Sequence, residues 1–301
     1  VPGGMFGADE NARIGFFDPR QGTETCGFVE QMASDEIMLQ ISGDPYWAEN
    51  CEDVAFNSYP AALMPDYKAL RYITSPNHIV SDSKNHHPGI DNSGPFLSMN
   101  PFSSRCCQHN HGFGWPYYTE NLIYATPDNG MAAVLYNACQ AKVKVGNGTE
   151  VTIKEQTNYP FEEIIRFTLT TPEKVSFPLY LRIPSWCKDA SIAVNGQKLG
   201  VDLISGKYAK ITREWSDADE IVLTVPMAFN YRQWQVNKNS VSVDYGPLSL
   251  SLKIDEDYQQ KDSRQTAIGD SKWQEGADAS AWPTYEIYPA SPWNYALQLN
   301  S

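Results

Sequence analysis

The pattern of hydrophobic and polar positions changes along the chain, and its first part is helical. Between residues 25 and 60, apolar side chains recur at helical spacing and predict two amphipathic helices. The first helix has Thr23 as its N-cap and ends at Gly43, and the second runs from Asp44-Pro45 to Tyr59-Pro60. The inner face of the first helix is predicted to carry Phe28, Val29, Met32, Ala33, Ile37 and Ile41. Two helices joined by so short a turn form an αα-hairpin, the repeating unit of helical barrels.

The pattern between residues 73 and 114 has no regular period. Pro, Gly, Asn, Ser and His occur throughout this segment. A loop of this length inside a compact domain is usually functional or disordered, so we expect chemistry here. A short helix is predicted to follow, from about Trp115 to Tyr124.

From Met131 onward the period is two, which is typical of strands with one buried face. The predicted strands are Met131–Leu135, Ala141–Val145, Glu150–Gln156, Ile164–Leu169, Ser176–Ile183, Ser191–Val194, Tyr208–Ile211, Ile221–Val225 and Val241–Val243. This series predicts an antiparallel β-sandwich of eight or more strands. The fold class is therefore α+β and multidomain. We expect a helical part over residues 1–127, a sandwich over 128–254, and an irregular segment with returning or next-domain strands over 255–301.

Composition narrows the classes of partner. The chain has 301 residues, with 36 Asp and Glu against 23 Lys and Arg, for a net charge of −13. This charge argues against a nucleic-acid or anionic-membrane partner, because the long-range force would be repulsive. No apolar stretch reaches the ~18 residues of a membrane span. Because the chain starts at Val1 without an initiator Met or a leader, we expect that an upstream segment was removed.

The candidate chemistry is concentrated in the first part of the chain. All five histidines fall between His78 and His111, and two cysteines, Cys106 and Cys107, are adjacent. Two buried small residues or a vicinal disulfide would explain the pair, and so would a thiolate metal site. A metal site needs further ligands, and Glu24 and Cys26 offer them at a helix entrance, where both side chains can converge. A Glu/Cys/Cys/Cys set suits zinc.

Several motifs resemble one enzyme family. Glu24-Thr25-Cys26 and Cys106-Cys107-Gln108-His109-Asn110 are similar to the "ETC … CCxxN" pattern of glycoside hydrolase family 127, the DUF1680 group, whose characterised members are β-L-arabinofuranosidases. Further resemblances lie at Tyr117–Asn121, Leu181–Trp186, Val194–Gly196, Tyr245–Leu248 and Ser291–Tyr295. The resemblance implies the C-terminal portion of an (α/α)6 barrel followed by a β-sandwich, with the N-terminal barrel half missing.

The resemblance also implies roles for individual residues. Glu24, Cys26, Cys106 and Cys107 would hold Zn²⁺, and Cys106 would be the nucleophile of a retaining reaction. Glu10 would be the acid/base, with its neighbour Asp9 as the alternative. Tyr72 and His109 would contact the sugar. Ser104 departs from family members that have a further Cys at that position.

The sequence thus predicts a retaining glycoside hydrolase that acts on furanosides such as β-L-arabinofuranosides. The rivals are a non-catalytic carbohydrate-binding or structural module, and a zinc hydrolase that uses metal-bound water. A periplasmic or secreted location is favoured over a cytoplasmic one. Because the family's sugar-contacting histidines lie largely in the missing half, we expect little or no activity from this chain alone.

Overall fold

The computed structural model describes residues 1–11, 17–87, 90–91, 94–269 and 271–298. Its helical part packs against one face of a β-sandwich, so the fold is α+β as predicted. The helices are consistent with part of a helical barrel. The described helices are α1 (Thr25–Ser42), α2 (Pro45–Asp53), α3 (Tyr59–Ala61), α4 (Arg105–Glu120) and α5 (Ser263–Thr266), with a π-helical turn at Val54–Ser58 and a 3-10 turn at Gly94–Phe96.

The predicted αα-hairpin is present. Gly43 ends α1 in the left-handed conformation, with φ of 65°, where a glycine is unstrained. Asp44 then caps α2, since its side chain accepts a hydrogen bond from the Tyr46 N–H, and Pro45 occupies the first turn. The N-cap of α1 is Glu24 rather than Thr23, which lies in a short strand.

The inner face of α1 differs from the prediction in its second half. Phe28, Val29 and Met32 are buried, but Ile37 and Ile41 are 56% and 75% exposed. Two carboxylates, Asp35 and Glu36, are buried instead. They are tolerated there because amides satisfy them: Asn50 Nδ2 donates to both oxygens of Asp35, and Asn121 Nδ2 donates to Glu36 Oε2 at 2.9 Å.

The helix predicted to start at Trp115 starts ten residues earlier, at Arg105. Its Gly- and His-rich sequence has low helical propensity, so burial against neighbouring elements fixes it. Cys107, Gly114 and Tyr118 form the buried stripe. Gly114 faces Tyr59 so closely that a Cβ atom would lie 2.5 Å from the ring.

The strands match most of the predicted series. They are β1 (Thr23–Glu24), β2 (Ile73–Thr74), β3 (Ile123–Ala125), β4 (Met131–Ala133), β5 (Cys139–Val145), β6 (Thr149–Gln156), β7 (Ile164–Thr170), β8 (Val175–Ile183), β9 (Ser191–Val194), β10 (Gln197–Lys198), β11 (Lys207–Trp215), β12 (Glu220–Thr224), β13 (Phe229–Trp234), β14 (Ser240–Tyr245), β15 (Leu248–Leu250), β16 (Glu256–Lys261) and β17 (Thr284–Pro289). Short or mostly exposed strands such as β3, β13 and β16 have no clear alternation, which is why the pattern did not predict them.

Two sheets form the sandwich. One has the order β10-β9-β12-β7-β6-β5 and the other β11-β8-β4-β3. The pairing is antiparallel except between β4 and β8, which run parallel. Alternate residues of both sheets enclose an apolar core that includes Phe167, Leu179 and Trp215. The other face of the four-stranded sheet, through Ala132 and Val134, joins the core of the helices.

The C-terminal segment returns to the helical part. β16 and β17 form an antiparallel pair, and β17 bridges to the loops that precede α4. Ile287 pairs with Ser81, and Tyr285 pairs with Met99. The irregular stretch between the two strands is thereby placed beside α4.

Candidate metal and active site

A short strand pair frames the site. β1 and β2 pair antiparallel, with Glu24 opposite Ile73. The Thr25 N–H donates to the Tyr72 carbonyl at 2.8 Å, and the Thr25 hydroxyl donates to the Arg71 carbonyl. Glu24 and Tyr72 are therefore held beside each other just where α1 begins.

Two helix N-termini meet at this frame. Cys26 lies in the first turn of α1, and Cys106 and Cys107 lie in the first turn of α4, which packs against α1. The positive end of each helix dipole favours an anion at that position, such as a thiolate. The fold thus brings together residues that are about 80 positions apart in the sequence.

The four predicted ligands form one cluster. One ligand atom from each of Glu24, Cys26, Cys106 and Cys107 lies within 4.8 Å of all the others. The Cys26 and Cys107 sulfurs are 3.3 Å apart, and Glu24 Oε1 is 3.7 Å from Cys107 Sγ and 4.0 Å from Cys106 Sγ. Tetrahedral zinc, with Zn–S of about 2.3 Å, requires neighbouring ligand atoms roughly 3.5–3.8 Å apart. The residues therefore fit a four-coordinate metal ion.

Burial and mutual contact raise the pKa values of Glu24, Cys26 and Cys106. Burial raises the pKa of Glu24 and of Cys106. The hydrogen bond with Cys107, followed by burial, raises the pKa of Cys26 well above its usual range. Without a cation the cluster therefore holds protons, whereas a divalent ion would displace them and stabilise the thiolates. The cluster could hold a metal ion.

Access to the cluster is uneven. Cys107 is fully buried, Glu24 is 7% exposed, and Cys26 is half-buried. Cys106 alone among the three thiols of the cluster is exposed. A reactant approaching the cluster would meet the Cys106 sulfur first.

The predicted acid/base and the predicted sugar-contacting tyrosine also meet. The Tyr72 hydroxyl donates to Glu10 Oε1 at 2.7 Å, and it lies within hydrogen-bonding reach of Glu24. Glu10 is exposed. Asp9 is 6% exposed, and its Oδ1 accepts the Asn11 N–H at 3.0 Å. The exposed carboxylate joined to the site by Tyr72 is thus that of Glu10.

His109 is placed differently from the other predicted residues. It is exposed on α4 and lines a groove along that helix, and no contact recorded among the described residues joins it to the cluster. Two contacts of the cluster were not expected from the sequence. The Ser104 hydroxyl lies 2.7 Å from Cys106 Sγ, and the Asn110 side chain opposes the rise in the Cys26 pKa that is caused mainly by Cys107. Both residues flank the cysteine pair, but spacing alone does not show which atoms they contact.

The chain is an α+β protein with a β-sandwich and a Glu/Cys₃ cluster at two helix N-termini, which defines a class of protein with a thiol-rich site. Two family sequence models agree with this description. The β-L-arabinofuranosidase GH127 catalytic domain matches residues 1–120, and the GH127 middle domain matches residues 130–227. The chain belongs to glycoside hydrolase family 127.

Solved structures share the fold. A GH127 β-L-arabinofuranosidase from Geobacillus stearothermophilus T6 superposes with a TM-score of 0.67 at 19% identity, over 96% of this chain and 51% of that one. A GH127 β-arabinofuranosidase gives 0.66 at 17% identity, over 96% and 51%. A protein described as a glycoside hydrolase gives 0.65 at 20% identity, over 91% and 50%. The chain spans about half the length of these structures. No curated protein matched the sequence.

None of the helices in the described ranges combines the length and the apolar character needed to cross a membrane.

Proposed function

We propose that this chain belongs to a retaining glycoside hydrolase that acts on furanosides such as β-L-arabinofuranosides. Cys106 is the nucleophile and Glu10 the acid/base. The observation that carries the proposal is the convergence of Glu10, Tyr72 and the Glu/Cys₃ cluster at one place, although the sequence separates them by up to 97 positions. The names of the GH127 structures and domains supply the substrate class.

The cluster is proposed to hold Zn²⁺ through Glu24, Cys26, Cys106 and Cys107. Soft thiolates with one carboxylate are a donor set that zinc prefers. Bound zinc would keep the thiols ionised at neutral pH. Of the three thiolates, only that of Cys106 is exposed enough to reach a substrate.

The proposed first step forms a bond between Cys106 Sγ and the anomeric carbon. The bond from that carbon to the leaving oxygen breaks, and the Glu10 carboxyl gives its proton to the leaving oxygen. In the second step the Glu10 carboxylate takes a proton from water, the water oxygen bonds to the anomeric carbon, and the C–S bond breaks. Two inversions give net retention, and both residues return to their starting states.

The surroundings of Glu10 suit the proposed gain and loss of a proton by its carboxyl group. Its bond from Tyr72 fixes the orientation of the carboxyl group while leaving the second oxygen for the substrate. Burial first, and then the nearby charge of Glu10, raise the pKa of Glu24. Tyr72 itself is 2% exposed and is therefore a rigid positioning group.

A partner is also proposed, namely further helices that complete the barrel. Large apolar side chains are exposed on α1 and α4. They are Ile37, Met38, Ile41, Phe113 and Trp115. Exposed apolar groups of this size usually mark a surface that another element covers, and the chain spans about half of the structures it matches.

Metal analysis tests the site on this chain alone. We expect about one zinc per chain in the wild type, and loss of that zinc in Cys107→Ala and Cys26→Ala, because each removes one of four ligands. Cys187→Ala is the matched control, since Cys187 is a buried free cysteine in the sandwich. Equal zinc content in all four proteins would overturn the metal site.

Covalent trapping tests the nucleophile. In the protein with a complete barrel, a β-L-arabinofuranosyl derivative with a slow second step should leave a sugar adduct on the peptide containing Cys106, detected by mass spectrometry. Glu10→Gln should lengthen the life of that adduct, because water is no longer activated. Turnover without an adduct in either protein would favour metal-bound water as the nucleophile.

A further inference from the structure

A groove of about 740 Å³ runs beside the first two turns of α4. Four stretches of chain form its walls: the turn at residues 63–70, Pro101 and Phe102, the helix from Arg105 to Gly112, and residues 271–282 of the C-terminal segment. We call it the α4 groove. It reaches the turn of the helix that carries Cys106, because Arg105 and His109 line it on either side of that residue.

Two exposed aromatic rings line the α4 groove. Tyr67 is 78% exposed, and its backbone has a φ of 62°, which is costly for a bulky residue. Little packing offsets that cost, and backbone strain of this kind concentrates at ligand-binding positions. Trp282 is 45% exposed, and its carbonyl is held by the hydroxyl of the buried Ser263. The groove therefore offers two exposed aromatic rings.

The charge of the α4 groove is opposite to that of the whole protein. Lys68, Arg105 and Lys272 line it, and none of the described lining residues is acidic. The chain as a whole carries a net charge of −13. No ion pair neutralises these three side chains within the described residues. Asp66, two residues before Lys68 in the sequence, accepts the Lys68 N–H through its side chain and lies outside the lining.

A buried hydroxyl in the wall lacks a partner. Ser271 is 3% exposed and lines the groove, and its Oγ makes no hydrogen bond in the described structure. Buried polar groups are nearly always satisfied, so an ordered water is expected there. Aromatic faces, a polar wall and cations together match a sugar that carries negative charge: ring C–H groups meet the π faces, and a carboxylate meets the cations.

We propose that the α4 groove binds the leaving-group side of the substrate and that this part is an acidic saccharide containing a uronic acid. The inference rests on the proposed function, because the adjacent Cys106 site is what makes a glycan the natural occupant. Arg105 and Lys68 bind the carboxylate, and Trp282 and Tyr67 stack on the sugar rings. The protein would then select a furanoside attached to an acidic glycan.

Calorimetric titration of the 301-residue chain tests this without any turnover. The probes are trigalacturonate, its neutral counterpart galactotriose, and citrate as a free carboxylate anion. We expect saturable binding of trigalacturonate, weaker binding of galactotriose, and no comparable binding of citrate. Trp282→Ala should weaken trigalacturonate binding about threefold to tenfold. Arg105→Gln should weaken it about tenfold or more.

Two control variants show whether a loss of binding is specific to the α4 groove. Trp293→Ala removes a tryptophan of the same 45% exposure outside the groove, and Arg166→Gln removes the same charge from the sandwich surface. Both should bind trigalacturonate like the wild type. Equal affinity for galactotriose, equal affinity for citrate, equal losses in the control variants, or no binding would each overturn the proposal. None of these results depends on zinc or on Cys106, so the proposed hydrolase function stands or falls separately.

Discussion

In the sandwich, the interior consists mainly of apolar side chains from two sheets, such as Phe167, Leu179 and Leu223, and Glu155 is a buried exception. In the helical part, carboxylates are buried beside the apolar residues: Asp35, Glu36 and Glu52 are each no more than 3% exposed. Apolar burial, which supplies most of the sandwich core, depends on neither pH nor ligands. The helical part depends on hydrogen-bond and charge partners, which is the arrangement that active sites require.

A buried ion pair joins the two regions. Arg182, on β8, is 0% exposed and pairs with Glu52 on α2. Its Nε donates to the Val134 carbonyl at 2.6 Å, and Tyr159 donates to Glu52 at 3.0 Å. The resemblance motif Leu181–Trp186 therefore joins the sandwich to the helices rather than contributing a reactive group.

Breaking this pair should have the largest effect on stability. Arg182→Met leaves Glu52 buried without its cation and should cost about 3–5 kcal/mol of unfolding free energy. Urea denaturation measures the loss. Lys210→Met, which breaks the exposed pair with Asp128, should cost less than about 1 kcal/mol. The double variant Arg182→Met/Glu52→Gln should recover much of the lost unfolding free energy. If it does not, the arginine stabilises the protein through packing alone.

Shortening an apolar side chain should have the second-largest effect, and the loss of unfolding free energy should differ between the sandwich and α1. Leu223→Ala, at a fully buried position in the sandwich, should cost about 2–5 kcal/mol. Ile41→Ala, at 75% exposure on α1, should change the unfolding free energy of this chain by less than about 0.5 kcal/mol. If further helices cover that face, the same Ile41→Ala change should become clearly destabilising in the protein with a complete barrel.

Two glycines of α4 provide a smaller, matched comparison. A Cβ at Gly114 would lie 2.5 Å from the Tyr59 ring, so Gly114→Ala should cost about 1–3 kcal/mol. Nothing lies within 4 Å of a Cβ at Gly112, so Gly112→Ala should stabilise the helix by about 0.5–1 kcal/mol. Thermal unfolding followed by circular dichroism measures both. Similar shifts for the two would contradict tight packing of α4 on Tyr59.

The dependence of stability on pH should be the most gradual effect. Burial raises the pKa of Glu36 from 4.5 to about 7 and that of Asp35 from 3.8 to about 6. The folded state therefore binds these protons more tightly than the unfolded state. The resulting stability is present below about pH 4 and is lost as pH rises toward 7, by at most about 1.4 kcal/mol per pH unit for each proton.

Hydrogen exchange of α1 amides at several pH values checks this prediction. Protection of α1 should decline as pH rises, after correction for intrinsic exchange rates. Glu36→Gln keeps a neutral group of the same shape and should remove most of the decline. An unchanged decline in that variant would assign it to another group.

Local pattern predicted much of this fold because it reflects short-range physics. Alternation in residues 131–225 located the main sandwich strands, and the Gly43 and Asp44-Pro45 signals located the turn between α1 and α2. The pattern failed where burial overrides propensity. The pattern predicted that Ile37 and Ile41 lie in the core, but both are exposed. It also predicted a loop at Arg105, where α4 begins.

The sequence by itself determined the chemistry available to this protein: three cysteines and a glutamate in two motifs, a strand-rich second half and an acidic surface. Only the tertiary structure decided which groups meet. It placed two helix N-termini together, left Cys106 as the exposed thiol of the cluster, joined Tyr72 to Glu10, and gathered three cations into the α4 groove. Spacing along a chain constrains neighbours within a few residues, whereas contacts across 80 or more positions depend on how the elements pack.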